Sequence, residues 1–156
     1  MVEISDIVTP ERVILDVKPC GSKRQLLKEL SQRAAAIFGL DQQRLLEALM
    51  ERERLGTTGI GHGIAIPHAR LKEVDRPVGL FARLSQPVDF EALDDRPSDL
   101  IFLLLAPESA DAESLKALAR ISRLLRDPSL RERLRRAQDR DTIYRLLTQK
   151  PESHAA

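Results

Sequence analysis

The apolar residues follow two periods, and the chain switches between them several times. Leu26, Leu27, Leu30, Ala34, Ile37 and Phe38 recur at three- and four-residue steps, the spacing of one helix face. Ser22, with Gln25 three residues on, has the form of a capping box, and Gly39 ends the run. Asp41 is placed to cap a second helix carrying Leu45, Leu46, Leu49 and Met50. Val13-Ile14-Leu15-Asp16-Val17 is rich in β-branched residues, stops at Lys18-Pro19 and reads as a strand. Before it, Ile4 to Val8 is a short segment halted by Thr9-Pro10. Val78 to Leu84 is a second strand, and Val88 to Phe90 is expected to pair with it across Ser85-Gln86-Pro87. The unbroken apolar run Leu100 to Ala106 has the pattern of a central strand buried on both faces.

The last third is helical. Ser109 or Asp111 starts a long helix with Leu115, Leu118, Ile121, Leu124 and Leu125 on one side. Asp127-Pro128 interrupts it, with Pro128 suited to the first position of the next helix, which takes Leu130 and Leu134. Asp139 caps a final helix through Ile143, Leu146 and Leu147. Helices and strands mix without strict βαβ alternation. The expected fold is therefore a single α/β domain over residues 1–150, a mixed β-sheet flanked by α-helices. Residues 151–156 are polar and expected to be a disordered tail.

One stretch fits neither period. Gly56-Thr57-Thr58-Gly59-Ile60-Gly61-His62-Gly63-Ile64-Ala65-Ile66-Pro67-His68 holds four of the seven glycines and two of the three histidines. As one straight strand it would set His62 and His68 roughly 20 Å apart, too far for a shared metal or proton relay. A two-residue hairpin with His62-Gly63 at its tip explains the glycines better, because a type I′ turn needs positive φ at both central residues. Counting outward, Gly61 then faces Ile64, Ile60 faces Ala65, Thr58 faces Pro67 and Thr57 faces His68. In neither arrangement do the two histidines act as a pair.

Composition narrows the function. Hydrophobic residues make up 42% and charged residues 31%, a globular balance, so 156 residues suffice for one core. A net charge of +1 argues against an electrostatic appetite for nucleic acid or membrane, and 3% aromatics against base-stacking platforms. The lone Cys20 excludes an internal disulfide and a cysteine-based zinc site, and reads as a small half-buried residue. Residues 1–10 carry acids and lack an apolar core, unlike a signal peptide, and no run approaches a membrane span. The expected setting is cytoplasmic.

The chain has no Walker loop, Cys/His cluster, nucleophile-elbow serine or dinucleotide fingerprint. What stands out is His68, stiffened by Pro67 at a strand end. A neutral imidazole has a free nitrogen lone pair near pH 7 and can attack phosphorus if its other nitrogen is held. The transferred group would need donors, for which Thr57, Thr58, Arg52, Arg54 and Arg70 are candidates. His62 reads as a turn residue and His154 as inert. Arg131, Arg133, Arg135 and Arg136 alternate with Glu132, which makes a solvated helix face the expectation and a dock for an acidic partner the alternative.

Arg52-Glu53-Arg54-Leu55-Gly56-Thr57-Thr58-Gly59-Ile60-Gly61, followed by Gly63-Ile64-Ala65-Ile66-Pro67-His68, resembles the active-site signature of phosphotransferase-system enzyme IIA proteins. The resemblance is to the fructose/mannitol superfamily, above all its nitrogen-related branch, and extends over nearly the whole chain. It implies that His68 accepts a phosphoryl group from a small HPr-like carrier of the NPr type, itself charged from phosphoenolpyruvate through enzyme I. It assigns phosphate stabilisation to Arg52, with Arg54 as the neighbour that could be mistaken for it. Where relatives commonly carry a second histidine, this chain has Ser114, which can donate a hydrogen bond but carries no charge. The resemblance further implies regulated partners such as potassium-transport or nutrient-stress regulators. Phosphoryl transfer between shallow protein surfaces needs no dedicated metal on this chain, so no metal and no cofactor are expected. Two alternatives remain at this point: a sugar-specific enzyme IIA serving a IIB domain, and an interaction module that is not phosphorylated. With no IIB-like or transmembrane stretch in this sequence, the regulator is the leading expectation.

Overall fold

A ten-residue strand, apolar from Leu100 to Ala106, lies at the centre of the molecule, and its two faces define two cores. The computed structural model describes residues 2–109 and 112–149. In chain order the elements are β1 (Val13–Ile14), α1 (Lys23–Phe38), α2 (Gln42–Arg54), β2 (Gly59–Gly61), β3 (Ile64–Ala65), β4 (His68–Leu71), β5 (Val78–Val88), β6 (Ser98–Pro107), α3 (Ala112–Leu125), α4 (Pro128–Arg136) and α5 (Arg140–Thr148). Short 3₁₀ turns at Ile4–Asp6 and Pro10–Arg12 precede β1. The sheet runs β1-β5-β6-β3-β2, with β4 also paired to β6. β6 is antiparallel to β5 and parallel to both β3 and β4, so the sheet is mixed as expected.

Alternation along β6 separates the layers. Ile101, Leu103 and Leu105 join the core beneath α1 and α2, while Leu100, Phe102 and Leu104 join the core beneath α3, α4 and α5. This is why the run reads as unbroken rather than alternating. Phe81 and Phe102 meet edge-on on the second face with centroids 6.4 Å apart, each ring fully buried. Burial of such a ring stabilises by about 2–3 kcal/mol.

The helix caps follow the sequence. Ser22 accepts from Gln25 N–H, Asp41 from Gln43 and Arg44, Asp127 from Ser129 and Leu130, and Asp139 from Thr142. The capping box at α1 is displaced by one residue, because the Gln25 side chain takes the N–H of Gly21 rather than that of Ser22. Three further expectations change. The strand read over Val13 to Val17 pairs only at Val13 and Ile14, after which Asp16 turns out to Arg33 at 2.7 Å. Val88 to Phe90 does not fold back: β5 continues through Ser85-Gln86-Pro87, and Val88 pairs with Ser98. The ladder is irregular between Arg83 and Val88, where Pro87 has no N–H to give. On α3 the buried face is Ser114, Ala117, Ile121 and Leu125, and Leu115 lies 62% exposed. The Asp111 start and the tail 151–156 lie outside the described residues.

β5 approaches β6 closely enough to make Gly79 a steric requirement. A Cβ there would lie 2.5 Å from the Leu103 carbonyl oxygen and 2.8 Å from the Phe102 ring. Gly79→Ala should therefore cost about 2–3 kcal/mol, read as a lowered urea midpoint with an unchanged slope.

Candidate functional site

The glycine block forms the expected hairpin. His62 and Gly63 occupy the turn with φ of 58° and 79°, the left-handed pair that a type I′ turn demands. Gly61 lies opposite Ile64 as counted from the sequence, but Gly59, not Ile60, lies opposite Ala65. Ile60 is bulged, and the Thr58 carbonyl accepts from Ile66 N–H at 3.0 Å. The register thus slips by one residue, and Thr57 does not face His68. Its hydroxyl donates to the Phe90 carbonyl at 2.7 Å and accepts from Gly59 N–H at 3.0 Å.

Beyond Pro67 the chain re-enters the sheet. His68 opens β4 rather than following a strand, and pairs in register with Leu104 of β6. Ala69 and Leu71 point into the α1/α2 core, so alternation turns His68 and Arg70 to the other face, the one that α3 covers. Ser114, buried on the inner side of α3, belongs to that same layer.

The imidazole is held at both nitrogens. Nδ1 lies 2.8 Å from the Ile66 carbonyl oxygen, an acceptor only, so Nδ1 carries the hydrogen. Nε2 then presents its lone pair and accepts from Arg52 Nε at 3.2 Å. Arg52 comes from the last turn of α2 and is steadied by a second bond, Nη1 to the Gly56 carbonyl at 2.9 Å. Arg54, the neighbour it could be mistaken for, points away to Glu51 and is exposed, as is Arg70.

Burial pushes the His68 pKa below its ordinary 6.5, and the nearby Arg52 charge acts in the same direction against the raising effect of the Ile66 carbonyl. Because the folded value lies below the unfolded one, the group contributes nothing to stability at pH well above 6.5. As pH falls below that value, the unfolded chain takes a proton that the folded chain refuses, and stability declines. A titration of the ring by NMR should give a midpoint below 6.5, with Arg52→Ala moving it upward; a wild-type midpoint at or above 6.5 contradicts the arrangement.

Glu53 received no role from the sequence, although it lies inside the signature. Its side chain is 4% exposed and pairs with Lys23 at 2.7 Å. It also accepts from Thr58 N–H at 3.0 Å and from the Thr58 hydroxyl. One carboxylate thus ties α1, α2 and the glycine loop together, one residue from Arg52. The signal available was a lone acid between two arginines, which ordinary surface helices also show.

Neither the groove of about 590 Å³ between α3, α4 and α5 nor the cleft of about 430 Å³ at the hairpin tip is lined by His68. A half-buried imidazole with a fixed tautomer, facing a guanidinium at a protein surface, suits exchange of a small anionic group between proteins better than enclosure of a substrate.

Residues 6–150 match the model for the phosphoenolpyruvate-dependent sugar phosphotransferase system, EIIA 2. The chain belongs to that family. Its likeness is to the nitrogen-regulatory members: it is 48% identical over 152 residues to a nitrogen regulatory protein of Bradyrhizobium diazoefficiens, covering 97% of this chain and 99% of the relative. A nitrogen regulatory protein of Pseudomonas aeruginosa is 40% identical over 148 residues, covering 94% and 96%. The crystal structure of nitrogen regulatory protein IIA-Ntr from Neisseria meningitidis superposes with a TM-score of 0.86 at 36% identity, covering 93% of this chain and 99% of that one. Among the described residues no helix is long and apolar enough to cross a membrane.

Proposed function

We propose that this protein is a phosphohistidine carrier and regulator of the nitrogen-related phosphotransferase branch, acting in the cytoplasm, with Nε2 of His68 as the acceptor. The observation that carries the reading is the pair of bonds on the ring, Nδ1 to Ile66 and Nε2 to Arg52. In the forward step the Nε2 lone pair attacks the phosphorus of a phosphohistidine on an HPr-like carrier of the NPr type. The N–P bond of the donor breaks, and its electron pair returns to the donor imidazole. The new ring keeps its Nδ1–H and is formally cationic, which the Ile66 carbonyl stabilises. Arg52 exchanges its bond to Nε2 for bonds to the arriving phosphoryl oxygens, worth more because both partners are charged. Partners, such as potassium-transport or nutrient-stress regulators, would then distinguish the charged and uncharged forms.

Incubation with phosphoenolpyruvate, enzyme I and the HPr-like carrier tests the reading. One acid-labile phosphoryl group per chain, placed on Nε2 by ³¹P–¹⁵N correlation, is the expected result. No uptake by folded protein would leave the unphosphorylated interaction module in its place. Efficient onward transfer to a sugar-specific IIB domain would make the protein a transport component.

Ser114 shares the layer of His68 and stands where relatives commonly carry a second histidine. A hydroxyl can donate to a phosphoryl oxygen without adding charge. Ser114→His should therefore change the hydrolysis half-life of the phosphorylated protein; an unchanged half-life removes Ser114 from the site.

A further inference from the structure

On α4, Arg133, Arg135 and Arg136 are exposed as the sequence implies, but Arg131 is not. Arg131 is 8% exposed and gives Nη1 to two carbonyls at the end of α3, Leu125 at 3.1 Å and Arg126 at 2.7 Å. Among the described residues no carboxylate pairs with it, so its charge is met only by those carbonyls, the partial negative end of a helix. A buried cation without a counter-ion is costly unless something completes it. Arg131 lines the open cleft of about 430 Å³ at the hairpin tip, together with Arg96, Arg135, His62, Pro97 and Asp99.

The cleft is net positive. Arg135 is neutralised by Asp99 at 2.9 Å and also donates to the His62 carbonyl at 2.8 Å. Arg96 is exposed; among the described residues no hydrogen bond or ion pair holds its guanidinium, although its charge acts on the nearby Asp94 carboxylate. Asp94, the other acid at the tip, is bound to His62 N–H and Arg96 N–H and does not line the cleft. Arg131 thus lacks a carboxylate partner, and Arg96 a direct ion pair, beside a space large enough for a small ligand.

We infer that this cleft is a second anion site, separate from His68, that takes a phosphate dianion, either as inorganic phosphate or as the phosphate of a small metabolite. Guanidinium forks match phosphate oxygens in geometry as well as charge. Arg131 supplies a buried, already oriented donor group, and Arg96 closes over the ligand from the loop.

The test uses the full chain, titrated with inorganic phosphate and with glucose 6-phosphate at constant ionic strength. Amide shifts and calorimetry provide the readout. Saturable binding with shifts at His62, Gly63, Asp99 and α4 is expected, and it should survive Arg52→Ala, which disables the His68 site. Arg96→Ala should weaken binding about tenfold. Arg131→Met should weaken it at least as much; since this change also frees the α3 carbonyls, the Arg96 variant decides if Arg131→Met fails to fold. Tighter binding of glucose 6-phosphate than of phosphate identifies a metabolite site, and equal binding a site for phosphate itself. Binding that is not saturable, that is lost in Arg52→Ala, or that is indifferent to Arg96→Ala overturns the inference.

Discussion

Replacing Arg52 with alanine should slow phosphoryl transfer onto His68 by about 10²–10³-fold while leaving the fold intact. Among the described residues the guanidinium is the one cation bonded to His68 Nε2, the proposed acceptor, and a second bond to the Gly56 carbonyl orients it. Its loss removes a donor from the place where charge accumulates as the group crosses. Arg52→Lys should recover only part of the rate, because an ammonium on a flexible stem does not reproduce the oriented Nε–H. Quenched-flow transfer from the charged carrier reads both, with His68→Ala as the zero. A rate within threefold of wild type in Arg52→Ala would place the stabilising cation on the carrier instead.

Glu53→Ala should be the most destabilising single change near the site, by about 3 kcal/mol. The substitution strands Lys23, only 12% exposed, and removes both acceptors of Thr58. Lys23 keeps its weaker link to Glu91 at 3.4 Å and its position over the Phe90 ring, which limits the loss. The glycine loop should loosen along with α1, so amide exchange at Thr58 and Gly59 should quicken and transfer should slow even below the melting range. Normal stability together with normal transfer would show that the loop is held by the hairpin alone.

His68 was legible from its place after Pro67, whereas its partner was not: the residue types left Arg52, Arg54 and Arg70 open, and only the resemblance to the family signature picked Arg52, which the structure bonds to the ring. The central strand and the helix caps were legible because each rests on local physics: alternation, a side-chain oxygen ahead of a helix, a proline at its first turn. The bulge at Ile60 was not. A slip of one residue depends on how Thr57 and Thr58 are drawn to Phe90 and Glu53, contacts across 33 and 5 positions of chain. For the same reason Thr57 looked like a neighbour of His68 when it is an anchor for the following loop. Leu115 and Arg131 failed in opposite directions. An apolar side chain keeps helical spacing yet faces water, and a cation in a run of charges is buried, because the phase of a short helix is set by what it packs against.

The local bond from His68 to the carbonyl two residues before it has a kinetic consequence. The ring orientation is supplied by adjacent main chain, with Pro67 restricting the link between them, so on the proposed reading the ring needs no reorientation and only the Arg52 side chain has to move off Nε2. Transfer should then be governed by collision: its observed rate should rise in proportion to carrier concentration, respond to salt as charged surfaces do, and show no plateau set by a slow internal step.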